Sequence, residues 1–302
     1  MLHHATEAAL SPAERRAHYF VPDEAFKRSI TAVPAAIFRA ERARAFAPDC
    51  PTGFIECDQS ETLGYAWPAT TPAMLARYVV VRAGERLDHR LQASGLIYYV
   101  LRGAGTVTCA GEEIAWGMGD GFCLPGNADV TLASSEGAIL MLFSDEPLLH
   151  LLRATGAEGA TGTIRPTFFP VHVIDRLIGD IHDQTGEQIT AGKSVTYVTD
   201  ELAGQQTTTP TLIGGINSLE PGGDQRPHKH SSAALTLPVW SEGLHSTLNG
   251  EVIPWEPDTL FVTPANAVHS HHNRGPGMMR SFVVQDTALH SGLRSITFAW
   301  GD

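Results

Sequence analysis

Two stretches of the chain are each written twice. Residues 69–91 (ATTPAMLARYVVVRAGERLDHRL) parallel residues 207–230 (TTTPTLIGGINSLEPGGDQRPHKH). Residues 109–130 (CAGEEIAWGMGDGFCLPGNADV) parallel residues 248–269 (LNGEVIPWEPDTLFVTPANAVH). His89 aligns with His228, Gly111 with Gly250, Trp116 with Trp255, Pro125 with Pro264 and Asn127 with Asn266. Chance is a poor explanation for that many uncommon residues in phase. The repeat is longer than the roughly 20–50 residues of a solenoid unit, so it marks a duplicated domain. A chain of 302 residues has the length for two such domains, each with its own core.

Each copy reads as short strands broken by turns. The runs ARYVVVRAG, GLIYYVLRG, GTVTCAGEEI and AILMLFSD are rich in β-branched or aromatic residues and end at Gly, Asn, Asp or Pro. CAGEEI and LNGEVI have the form of tight hairpins, with Asn-Gly the stronger signal. Many short, evenly spaced strands predict a mainly β fold, and a small jelly-roll barrel suits the length of each copy. Residues 1–67 read as a helical or irregular arm; SPAERRAH offers a Ser cap with an acidic residue three positions on. The first barrel is expected over 68–148, a connector over 149–206 and the second barrel over 207–302. The connector carries one helical patch, VIDRLIGDIHDQ, and is expected to pack between domains or against a second subunit.

The net charge of −12 argues against a nucleic-acid or anionic-membrane surface. No stretch is long and apolar enough to span a bilayer. The N-terminus lacks a basic start followed by an apolar run, so no signal peptide is expected and a cytoplasmic location is the default. Cys50, Cys57, Cys109 and Cys123 form no CxxC pair and read as free, buried thiols in a reducing compartment.

The chemistry gathers in the second copy. In PHKH, His228 and His230 leave a strand on the same face while Lys229 points away. A hairpin later, TPANAVHSHHN turns the chain back into a strand that starts at His269. Two adjacent strands of a closed barrel can present His228, His230 and His269 at one point. Three neutral imidazoles suit Fe, Mn, Ni, Cu or Zn to differing degrees.

The segment GGDQRPHKHSSAAL, followed by NGE, Trp255 and TPANAVHSHHN, resembles the paired metal-binding motifs of the cupin superfamily. The duplication makes the chain similar to a bicupin. More narrowly, residues 207–273 resemble the gentisate 1,2-dioxygenase group, which includes salicylate and 1-hydroxy-2-naphthoate dioxygenases. The resemblance implies that His228, His230 and His269 are metal ligands and that the ion is Fe(II). It implies an extradiol-type dioxygenase acting on a hydroxylated aromatic acid and O2. It also implies a homo-oligomer, dimer or tetramer. The glutamate usual in cupins, four or five residues after the second histidine, is absent: those positions are Ala234 and Leu235. A neutral three-histidine face keeps the ion's full charge and leaves about three of six octahedral positions open. In the first copy the partners of His230 and His269 are Leu91 and Val130, so His89 stands alone and that barrel reads as a scaffold. The gentisate group commonly carries its iron in the first cupin, and here the intact triad is in the second.

Further candidates surround the triad. His271 shares a face with His269; it is read either as an orienting or substrate-contacting group or as a hydrogen-bonded barrel histidine. His272 alternates outward, and His245 is a second candidate for the interior. Arg226 is the nearest cation in the sequence and a candidate partner for a substrate carboxylate through two parallel hydrogen bonds, with a surface loop arginine as the plain alternative. Gln225 and Arg280 are weaker candidates of the same kind. Trp240 and Trp255 are candidates for an aromatic pocket, although Trp255 recurs as Trp116 and so favours packing. Asn273 is expected to tie the turn after its strand, and His3 and His4 belong to a loose terminus. Two rival functions fit the triad: oxidation of another chelating substrate such as a β-diketone or thiol, and a non-catalytic metal- or ligand-binding cupin.

Overall fold

The computed structural model describes residues 11–25, 27, 32–157, 164–184, 192–240 and 242–301; His3 and His4 lie outside them. Residues 33–302 form one compact unit and residues 1–32 another. In the smaller unit the expected capping box is present. The Glu14 N–H donates to Ser11 Oγ at 3.3 Å, and the Ser11 N–H donates to Glu14 Oε2 at 2.6 Å. The helix it opens is a single 3₁₀ turn, Glu14–Arg16.

The larger unit holds both barrels, and they share one plan. In the first, one sheet orders Gly53–Glu56, Leu75–Val81, Ala138–Ser144, Gly95–Arg102, Gly121–Pro125 and Thr167–Phe169. The other orders Glu85–His89, Val130–Ser134, Ala104–Cys109 and Glu112–Gly117. In the second, one sheet orders Lys193–Tyr197, Ile213–Leu219, Met279–Gln285, Ala234–Trp240 and Phe261–Thr263. The other orders Glu251–Pro254, Leu244–Leu248, His269–Asn273, His228–His230 and Phe298–Trp300. The repeated order is the jelly-roll plan twice over. Both hairpins form as the sequence predicts: Ala110 and Gly111 have φ of 50° and 81°, Asn249 and Gly250 of 47° and 87°. Two consecutive positive values make the turn whose twist matches paired strands.

The segments outside the barrels are woven into them. The connector gives an edge strand to each barrel, Thr167–Phe169 to the first and Lys193–Tyr197 to the second, with the helix Val171–Asp183 between. Gly53–Glu56 extends the first barrel, and Ile37 bridges to Phe261 of the second. Among the described residues no helix is long and apolar enough to cross a membrane. All four cysteines are free and buried.

The near-continuous apolar run of Leu75–Val81 follows from burial on both faces. Ala76, Tyr78 and Val80 join the core between the barrels, while Val79 and Val81 fill the first barrel. Across the interface Tyr99 stacks on Phe282 with ring centres 4.6 Å apart, and the Tyr78 hydroxyl donates to the Asp258 carbonyl at 2.7 Å.

Candidate metal centre

The two barrels differ in what fills them. Pairing registers place Tyr98 opposite Phe122 and Leu142, and Thr236 opposite Phe261 and Val283. By the same registers Leu96 corresponds to Ala234, Leu124 to Thr263 and Val79 to Asn217. Large apolar side chains in the first barrel thus become small or polar ones in the second. The first barrel is filled by a buried apolar cluster that includes Val79, Leu96, Tyr98, Phe122 and Leu124; its His89 meets the Tyr98 hydroxyl at 2.9 Å and packs edge-on to Phe54. Burial lowers the pKa of His89 to about 4. The second barrel instead holds a cavity of about 430 Å³, lined by Asn217, Gln225, Thr236, Thr263 and Gln285 together with His228, His230, His269 and His271. A cavity of this size falls in the range of small-molecule sites.

His228, His230 and His269 are all buried, and their candidate ligand atoms lie within 4.8 Å of one another. His228 pairs with His269 across adjacent strands, and its ring centre lies 4.3 Å from that of His269. A common backbone device sets their tautomers. Nδ1 of His228 contacts the Arg226 carbonyl at 3.0 Å, Nδ1 of His230 the Ser232 carbonyl at 2.8 Å, and Nδ1 of His269 the Ala267 carbonyl at 2.9 Å. A carbonyl only accepts, so each Nδ1 carries the proton and each Nε2 keeps its lone pair. Nε2 of His230 is buried without a protein partner. Burial lowers the pKa of all three, that of His269 to about 3, so the rings are neutral near pH 7. A buried orphan nitrogen, three converging lone pairs and zero net charge fit a divalent ion.

His271 is arranged in the opposite sense. Its Nδ1 meets Ser246 Oγ at 2.8 Å, and that oxygen accepts the Trp255 indole N–H at 2.7 Å. With the indole donating, the Ser246 proton is free to go to His271 Nδ1. In that arrangement the imidazole proton sits on Nε2 and His271 can donate into the cavity; a Ser246 oxygen that accepts from both rings gives the opposite tautomer. Burial holds its pKa well below the usual histidine range.

Several sequence candidates fall elsewhere. Arg226 is exposed and does not line the cavity; its guanidinium lies over Trp300, 4.7 Å from the ring centre. Turning one residue later than Gln225, it leaves the wall on the solvent side. Gln225 takes the inward place, and its Oε1 is buried without a partner. Arg280 pairs with Asp175. Among the described residues no Asp, Glu, Lys or Arg lines the cavity. His245 faces away: it pairs with His272 across strands and stacks on it at 4.7 Å, and His272 in turn bonds Asp224. Trp240 and Trp255 do not line the cavity either. Asn273 ties its turn as expected, donating to the Leu219 and Gly277 carbonyls at 2.9 and 2.8 Å and accepting the Gly275 N–H at 3.0 Å.

Sequence reasoning missed the wall. Asn217, Thr236, Thr263 and Gln285 were legible only as positions where the two copies disagree, and the register of those strands was needed to see it. Ser246 and Phe298 gave no sequence signal.

No family model matches the chain. In structure it is similar to salicylate 1,2-dioxygenase from Pseudaminobacter salicylatoxidans, with a TM-score of 0.75 over 90% of this chain and 89% of that one, at 15% identity. It is also similar to a cupin 2 conserved barrel domain protein from Leptotrichia buccalis, with a TM-score of 0.54 over 85% of this chain and 99% of that one, at 12% identity. The fold is that of a bicupin. In sequence the bicupin is 27% identical over 128 residues to 1-hydroxy-2-naphthoate 1,2-dioxygenase from Nocardioides sp. strain KP7, a match covering 42% of this chain and 33% of the relative. It is 30% identical over 88 residues to 5-nitrosalicylic acid 1,2-dioxygenase from a Bradyrhizobium species, covering 29% of this chain and 42% of that protein. The bicupin therefore spans about a third and two fifths of the lengths of these two relatives.

Proposed function

We propose that this bicupin is a ring-cleaving dioxygenase of hydroxylated aromatic acids, with Fe(II) held by His228, His230 and His269. The observation that carries the reading is the convergence of three neutral histidines, within 4.8 Å, on a cavity without a carboxylate among its described lining residues. The names of the sequence relatives, dioxygenases of hydroxynaphthoate, nitrosalicylate and gentisate, support the substrate class.

A bound ion would supply Lewis acidity, which lowers a phenol's pKa, and a route for electrons between substrate and dioxygen. The chain supplies the rest. Carbonyls of Arg226, Ser232 and Ala267 fix the three rings. With Ser246 donating to its Nδ1, His271 presents Nε2–H to the cavity, suited to an oxygen of the substrate that gains negative charge. Gln225 and Asn217 offer neutral amides to the acid's remaining oxygens. The bond expected to break joins the carboxyl-bearing and hydroxyl-bearing carbons. A cytoplasmic homo-oligomer, dimer or tetramer, is part of the proposal and is tested by light scattering and cell fractionation.

The absence of a cation among the described lining residues favours a second reading, a chelating substrate of lower charge such as a β-diketone. Oxygen uptake by protein reconstituted anaerobically with Fe(II) separates the two. The panel is gentisate, salicylate, 1-hydroxy-2-naphthoate and acetylacetone. Uptake with an aromatic acid, lost together with iron in His230→Ala, supports the proposal. Uptake with acetylacetone alone supports the second reading, and iron retained in His230→Ala rejects the ligand set.

A further inference from the structure

Among the described residues, no strand of the first barrel corresponds to Phe298–Trp300. It pairs with the ligand strand itself, setting Trp300 opposite His228 and Phe298 opposite His230. Phe298 stacks on the His228 ring, with centres 5.4 Å apart and planes 23° from parallel. Trp300 meets Phe298 edge-on at 4.9 Å, and the Arg226 guanidinium caps Trp300. The Gly301 N–H donates to the Pro227 carbonyl at 2.7 Å, and the Ser231 N–H to the Thr297 carbonyl at 3.2 Å. The segment is thus fastened on both sides of the ligand strand.

Ile296, Thr297 and Phe298 line the cavity. Phe298 is 51% exposed and Ile296 43%, although most of the wall around them is amide and hydroxyl. An aromatic face left open beside a metal-ligand ring is apolar area that a flat apolar ligand would cover. The three histidines and the amides provide for donor atoms and give a ring little to lie against.

We propose that Phe298, with Ile296, is the wall that receives the substrate's aromatic ring, and that the Arg226–Trp300–Phe298 stack holds this wall against the ligand strand. The inference rests on the aromatic-acid reading above. It gives Arg226 a positioning task, through cation–π contact with Trp300. Selectivity for an aromatic over an aliphatic chelator then resides in the last strand, while chelation resides in the histidines.

The test is calorimetric binding of salicylate and of acetylacetone, which chelates as its enolate and has no aromatic ring, to full-length Fe(II)-loaded protein without oxygen. In Phe298→Ala the dissociation constant for salicylate is expected to rise about tenfold, acetylacetone to shift by less than about twofold, and Phe298→Tyr to restore salicylate binding. Equal weakening of both probes, or unchanged salicylate binding, overturns the wall while leaving the aromatic-acid reading intact. Wild-type protein that binds acetylacetone and not salicylate overturns both. For the stack, hydrogen exchange on metal-free protein is the readout. Trp300→Ala is expected to speed exchange at the Gly301 and Ser231 amides, and unchanged protection there rejects the positioning task.

Discussion

Tyr98 and Thr236 stand at the same place in the two barrels, one filling its barrel and the other opening it. The Tyr98 hydroxyl lies 2.9 Å from Nε2 of His89, the residue that aligns with the proposed ligand His228. Duplication has thus left a blocked and an open version of one site in a single chain. In Thr236→Tyr the new phenol is expected to reach Nε2 of His228 and compete with the ion. Metal affinity should fall about tenfold, the worth of one good buried hydrogen bond, with the circular dichroism of the fold retained. Metal titration checks this.

Ser246→Ala removes the hydroxyl that holds the His271 ring through Nδ1. It also leaves the Trp255 indole N–H without its acceptor. Loss of a buried partner costs about 1–3 kcal/mol. The expected result is a fall in kcat of about tenfold or more at unchanged iron content, with Ser246→Thr partly restoring it. Steady-state kinetics beside metal analysis distinguishes this from loss of the site.

The metal-free protein should lose stability in acid. Burial holds the pKa values of His228, His230, His269 and His271 below the ordinary histidine value of 6.5, that of His269 reaching about 3. The unfolded chain therefore binds more protons than the folded one between those limits. Stability is full above about pH 6.5 and falls as the pH drops toward 3, each such group adding up to about 1.4 kcal/mol per pH unit. Urea denaturation from pH 7.5 to 4.5 checks the slope. Saturating metal should steepen it, because protons compete with the ion for the same lone pairs.

Arg77 and Glu146 form a buried ion pair in the first barrel, with side chains 7% and 11% exposed, and Ser144 donates to Glu146 at 2.6 Å. Neutralising Glu146 leaves the buried Arg77 with only the more exposed Glu56, 3.2 Å from its Nε, as counter-charge, so the cost falls below the roughly 3–5 kcal/mol of a fully orphaned buried charge. Glu146→Gln should lower the urea midpoint and leave metal content in the second barrel unchanged. A matching loss of metal would mean that the barrels are coupled through their shared core.

The duplicated β architecture was legible because β-branched and aromatic runs and turn chemistry act locally, the runs staying apolar throughout where a strand is buried on both faces. Asn249-Gly250 specifies its hairpin whatever surrounds it. The triad was legible because His228 and His230 share a face by strand geometry alone and the turn at Asn266 returns the chain to His269. Arg226 was misplaced because its direction follows its contact with Trp300, 74 residues away in sequence. The wall residues escaped because facing strands such as Ala234–Trp240 and Met279–Gln285 meet only after folding, and their register decides which side chains look inward. The connector read as a linker because its two strands are edge strands, paired on one side and weakly patterned.

The central claim is that one ion is held by three neutral imidazoles from the second barrel and by no carboxylate. X-ray absorption of the Fe(II)-reconstituted protein addresses it directly. The account predicts three imidazole scatterers, at about 2.0–2.2 Å as for other first-row ions, with the remaining positions filled by water oxygens that an added chelating acid displaces. Fewer than three imidazoles, or a protein carboxylate in the shell that survives saturation with such an acid, would contradict it.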